Sequence, residues 1–200
     1  MHVLTLGFHH PTPDEHCLNR ITACLGGSDT HVCHVELLLD TFPSDSFSIL
    51  SGGVAGFRPK QFANRTYEFL SLSISNQEHA ALEHFCRTAH ALALPFDELG
   101  MFVSLVHMAC LHRPSHAVGK TFCSKIITEA LQAGLLPEVD GLNPSGTTPA
   151  RLFRRILASP RRVISPPPAR MQCIFAPSPP QTRNTTSSKP TLLIPIRIQQ

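Results

Sequence analysis

Two hundred residues, 42% of them apolar and 16% charged, suffice for one domain with a real core and exclude a chain too polar to fold. No run of roughly eighteen apolar residues occurs, which excludes an ordinary membrane-spanning helix. The net charge of +3 is unevenly spread, because all 14 acidic residues lie at or before Asp140, while nine of the 17 Lys and Arg residues lie beyond it.

Taken in chain order, His2 to Phe8 is β-prone. Pro13 to Leu25 carries apolar residues at Cys17, Leu18, Ile21 and Leu25, a helical spacing closed by Gly26 and Gly27. His31 to Asp40 is a β-branched, leucine-rich run of strand length. Ser46 to Leu50 follows a Pro-Ser-Asp-Ser turn, and Tyr67 to Ile74 supplies another strand. Strands joined by turns in this way predict an antiparallel meander.

The second half turns helical. Ser75 and Glu78 have capping-box spacing ahead of a helix to Ala93, with Leu82, Phe85, Ala89 and Leu92 as its apolar face. Asp97 to Leu111 is apolar nearly all round and predicts a buried helix. Thr121 to Ala133 predicts a third, stopped by Gly134, and a short one opens at Thr148 with Pro149 in its first turn. The whole is an α+β pattern, an antiparallel sheet with helices packed against it.

From Ser159 onward Pro, Ser, Thr and Arg dominate, in runs such as Pro166 to Pro168 and Pro177 to Pro180. Such a composition buries too little apolar surface to offset its ordering entropy, so one domain over 1–158 and a disordered tail over 159–200 are expected. The basic tail suits an anionic surface, such as nucleic acid or lipid headgroups. It lacks aromatic interleaving, and a solvated tail is the simpler expectation.

Seven cysteines are an odd number without a framework of spacings, which fits a reducing compartment better than a set of disulfides. Met1 to Phe8 lacks a basic leader and a small-residue cleavage site, so a cytoplasmic location is expected. No paired Cys-x-x-Cys and no His-Glu-x-x-His occurs. His79, His84 and His90 do not share a helix face, and Pro114 interrupts the series His107, His112 and His116. No metal centre and no cofactor is expected, and Gly52 to Gly56 lacks the Gly-Lys-Ser/Thr element of a phosphate-binding loop.

One cysteine stands apart. Cys123 opens a predicted helix, where exposed N–H groups and the helix dipole favour a thiolate and can accept an oxyanion. Lys120 and Lys125 are close enough in sequence to assist. The other six fall in helices, on a core face or in the tail, and are expected to be structural or incidental. On the strand from His31, alternation sets Cys33, Val35, Leu37 and Leu39 on one face and His34, Glu36 and Leu38 on the other. An imidazole and a carboxylate two residues apart can act together, with Glu36 or a neighbour on the next strand orienting His34 as a base.

The ordered series His34-Val-Glu-Leu-Leu, Leu50-Ser-Gly-Gly-Val, Arg58-Pro59, Tyr67-Glu-Phe-Leu, Pro95-Phe-Asp, Phe122-Cys-Ser-Lys-Ile-Ile and Thr147-Thr-Pro-Ala-Arg-Leu resembles the circularly permuted NlpC/P60, papain-like superfamily over about residues 28–157. The histidine precedes the cysteine, as in that family. The resemblance implies a papain-like fold, Cys123 as nucleophile, His34 as base, and a variable third polar member for which Glu36 is the candidate. It implies a thiol hydrolase acting on a peptide, amide or lipid-ester substrate. Thr-Phe-Cys-Ser-Lys departs from the Asn-Cys-Glu-His-Phe pattern of the related lecithin retinol acyltransferase-like enzymes. The alternative from another class is a catalytically silent binding module of the same fold that holds a partner, membrane surface or nucleic acid through its basic tail.

Overall fold

The computed structural model describes residues 1–14, 17–26, 30–41, 45–59, 62, 66–102 and 119–164, without the side chains of residues 17, 18, 25 and 26. Its centre is β1 (His2–His9), where strict alternation buries Leu4, Leu6 and Phe8 completely while Val3 is left exposed. A strand with so apolar a face needs partners on both edges. It pairs antiparallel with β2 (His34–Leu38) on one side and, residue for residue from His2↔Ile74 to His9↔Tyr67, with β5 (Tyr67–Ile74) on the other.

The remaining strands are β3 (Asp45–Ser48), β4 (Gly56–Pro59) and β6 (Arg162–Val163), and the sheet order is β4-β3-β2-β1-β5-β6. The expected meander through 31–40, 46–50 and 67–74 is thus corrected. The meander is β2, β3 and β4, and β5 returns to β1, where Leu70, Leu72 and Ile74 continue the buried face. β4 has no alternation to read and contains a proline, which an edge strand tolerates.

Helices cover the apolar face. Helix α1 (Cys17–Gly26) turns Thr22 and Ala23 inward and leaves the expected core residue Ile21 exposed. Helix α2 (Asn76–Leu92) carries the capping box, with Glu78 N–H donating to Ser75 Oγ at 3.2 Å and Ser75 N–H to Glu78 Oε2 at 2.7 Å. Its buried stripe is His79, Leu82, Cys86 and Ala89, rotated from the expected one, so that Leu92 lies exposed beside the left-handed Ala93. Helix α3 (Cys123–Ala133) buries Ile126, Ile127, Ala130 and Leu131 against β2 and α2. Helix α4 (Pro149–Leu157) starts where Thr148 Oγ1 accepts from Arg151 N–H, and buries Leu152, Phe153 and Ile156. The helix expected over 97–111 is present at 98–102, with Leu99 exposed, and the rest lies outside the described residues.

The folded body extends past the expected boundary at residue 158. Residues 162 and 163 pair with β5, and Arg161 donates to Glu138 and Glu78. The Pro-rich tail beyond 164 lies outside the described residues. Among the described residues no helix is long and apolar enough to cross a membrane.

Candidate active site

The position of Cys123 is set by backbone hydrogen bonds that tie three loops together. After the turn closed by Gly53 N–H on Leu50 C=O (2.9 Å), Ala55 N–H donates to Leu94 C=O (2.9 Å) and Phe96 N–H to Gly53 C=O (3.0 Å). The same segment grips the entry to α3, with Asp97 N–H donating to Thr121 C=O (2.7 Å) and Thr121 N–H to Pro95 C=O (3.0 Å). Cys123 is the first residue of α3, and the N-cap Phe122 offers no side-chain cap. The leading N–H groups of the helix are therefore free to act on the thiol, and Ser124 N–H does so.

Opposite stands His34, the first residue of β2. Its Nε2 lies 3.2 Å from Glu36 Oε1 and 3.3 Å from Ser48 Oγ. Ser48 spends its one hydroxyl proton on Val35 C=O at 2.9 Å, so its oxygen faces Nε2 as an acceptor. The carboxylate is an acceptor too. Nε2 therefore carries the proton, and the lone pair is left on Nδ1, a tautomer assigned from its partners.

Glu36, placed by alternation on the face opposite Val35 and Leu37, is nonetheless only 1% exposed. Tyr67 Oη donates to Glu36 Oε1 at 3.0 Å, and Phe62, itself buried, packs edge-on against both Tyr67 and Phe69. Gly7 sits opposite Glu36 in the β1–β2 register and permits this cover, because a Cβ there would lie 3.1 Å from Phe69 Cε1 and 3.5 Å from Tyr67 Cδ1.

Burial pushes the Cys123 thiol up, but the charge of His34, its hydrogen bond to the sulfur and the N–H groups of Val35 and Ser124 outweigh that, and hold it below the ordinary thiol value. The sulfur borders a cleft of about 210 Å³ that is also lined by His34, Asn19, Ile49, Tyr67, Phe96 and Met101. An activated thiol, an imidazole with a fixed tautomer and backbone donors at one cleft wall can together attack a carbonyl and shuttle the proton.

Among the described residues the structure brings Cys123, His34 and Glu36 into one constellation. Lys125 instead donates to Lys120 C=O at 3.0 Å, and neither lysine lines the cleft. Of the other cysteines, Cys86 is buried in the core and its thiol is pushed up by that burial, Cys24 is exposed, and Cys33, expected on the core face, is buried and also lines the same cleft as Cys123. Cys110 and Cys173, and the side chain of Cys17, lie outside the described residues. Sequence reasoning missed Tyr67, and it allowed for a neighbour on the next strand beside His34 without identifying Ser48. Tyr67 is the one tyrosine of the chain, at the first position of a strand, but its pairing with Glu36 follows from β5 lying beside β1, which no local pattern announces. Comparisons with protein-family models, with curated proteins and with solved structures return no match to this chain.

Proposed function

We propose that the chain is a thiol hydrolase of the permuted NlpC/P60, papain-like kind, with Cys123 as nucleophile, His34 as base and Glu36 as the residue that orients His34. The observation that carries this reading is the contiguity of the buried Glu36 carboxylate, His34 and a thiol whose pKa is lowered despite its burial. Nδ1 of His34 takes the proton of Cys123. The thiolate adds to an amide or ester carbonyl, and the N–H groups of Val35 and Ser124, which already face the sulfur, are the donors nearest the developing oxyanion. Collapse expels the amine or alcohol, which takes its proton from His34. Water, deprotonated by His34, then releases the acid and restores the thiol. The neighbouring Ser124 Oγ is buried without a partner, and is a polar atom within the same helix turn.

Alkylation tests the nucleophile. With limiting iodoacetamide and mass-spectrometric mapping, Cys123 is expected to react before the other cysteines. Its rate should reach half-maximum at a pH below the ~8.5 of a free thiol, because the lowered pKa keeps the thiolate populated as pH falls. His34→Ala should slow acyl transfer from p-nitrophenyl acetate by about 10²–10⁴-fold and remove the burst. Slow, uniform labelling of every accessible cysteine would defeat the proposal. Fast labelling of Cys123 without any burst would favour the silent binding module.

A further inference from the structure

The other end of β2, away from the cleft, gathers three side chains that are remote in sequence. His2 opens β1, Asp40 follows the end of β2, and His79 stands on the first turn of α2. The register accounts for the meeting. Pairing of Thr5 with Leu38 carries the start of β1 alongside the residues after β2, and pairing of His2 with Ile74 places it next to the capped start of α2. His2 Nδ1 lies 2.8 Å from Asp40 Oδ2, and His79 Nε2 lies 2.8 Å from Asp40 Oδ1. The two imidazoles are stacked, with centroids 3.9 Å apart and planes at 17°.

We propose that His2, Asp40 and His79 form a binding site for a divalent first-row transition metal, with zinc as the best fit. One nitrogen from each ring and one carboxylate oxygen lie within 4.8 Å of one another. Two imidazoles and a carboxylate suit zinc, and leave a fourth position for water; calcium and magnesium prefer all-oxygen sites. Zinc holds such donors at about 2.0–2.2 Å, which spaces them about 3.3–3.6 Å apart in a tetrahedron, so closure requires a side-chain movement of about an ångström.

Burial and support fit this use. His79 is 5% exposed and fixed by α2, whereas the His2 and Asp40 side chains are 31% and 45% exposed, which leaves one side open for an ion to enter and for water to complete the shell. Behind His79, Glu83 Oε2 stands 3.8 Å from Nδ1, and Glu83 is itself held by Arg87 at 2.7 Å. With the site empty, Nε2 of His79 faces the Asp40 carboxylate and carries a proton; an ion would displace it, and the Glu83 charge behind Nδ1 would favour the proton moving there, freeing the Nε2 lone pair. The proposal is independent of the hydrolase reading, since none of these residues lines the Cys123 cleft.

The test is titration of the full chain with zinc against a chromophoric chelator, followed by cobalt substitution. One equivalent should bind with micromolar or tighter affinity. His2→Gln and Asp40→Asn, both on partly exposed side chains, should each weaken binding by more than about tenfold, and Glu83→Gln by about tenfold, with circular dichroism reporting that each variant remains folded. The cobalt form should show tetrahedral visible bands without a thiolate charge-transfer band. Absence of stoichiometric binding, affinity undiminished in both ligand variants, or a thiolate band would overturn the proposal.

Discussion

At the scale of single residues, the Cys123 thiol is held below its ordinary pKa with the help of His34, and two further side chains stand behind that histidine. Glu36 supplies the negative charge behind His34, and Tyr67 holds one of its oxygens. Glu36→Gln keeps the shape and removes the charge, so the midpoint of the Cys123 alkylation profile should move up toward that of a free thiol. Tyr67→Phe removes one charge-assisted hydrogen bond, worth about 1.5–3 kcal/mol, and should move it in the same direction by less. If Glu36→Gln left the profile in place, Glu36 would be a buried structural carboxylate. His34 and Cys123 were legible because a strand alternates and a helix start is chemically distinctive. The burial of Glu36 was not, because the rings that cover it come from Phe62, Tyr67 and Phe69.

At the scale of elements, α2 and α3 begin in opposite ways, and each beginning serves its place. Helix α2 is closed by the reciprocal bonds of Ser75 and Glu78, whereas α3 has no side-chain cap and leaves its first N–H groups to the thiol. Ser75→Ala should lower stability by about 0.5–2 kcal/mol, read as a shift of the urea midpoint at unchanged slope; an unmoved midpoint would mean that tertiary contacts alone fix this helix. The capping box and the Thr148-Pro149 start were readable since caps are local chemistry. The face each helix buries was less so. Cys86 and His79 join the buried stripe of α2, Phe85 packs half-buried at its edge and Leu92 lies exposed, because the sheet beneath determines which side is covered.

At the scale of the molecule, Arg161 joins the end of the described chain to its middle. It donates to Glu138 at 2.6 and 2.9 Å and forms an ion pair with Glu78 at 2.6 Å. Burial pushes both carboxyls up, but the hydrogen bonds from Arg161, from Ser75 to Glu78 and from Ser159 to Glu138, outweigh it and hold both below the usual carboxylate range. A depressed carboxyl stabilises the fold above its unfolded pKa, near 4.3, and loses that contribution as pH falls through the folded value. Arg161→Ala should therefore cost about 1–3 kcal/mol at pH 7, less than for a fully buried pair because Arg161 and Glu78 are partly exposed, and the deficit should shrink as pH falls below the ordinary carboxylate range. A deficit that did not change with pH would assign it to lost packing.

What the sequence determined by itself was whatever rests on neighbours along the chain: the strand at 67–74, the helix starts at Ser75 and Thr148, the α+β class, a cysteine at a helix N-terminus and a histidine on a strand. Tertiary structure alone decided that β5 returns to β1, that Glu36 is roofed by aromatic rings, that Arg161 extends the body past residue 158, and that His2, Asp40 and His79 meet. The physical reason is the same in each case. Caps and alternation act over two to four residues, whereas strand order is settled by which apolar faces must be covered together, and that choice is made across the whole chain.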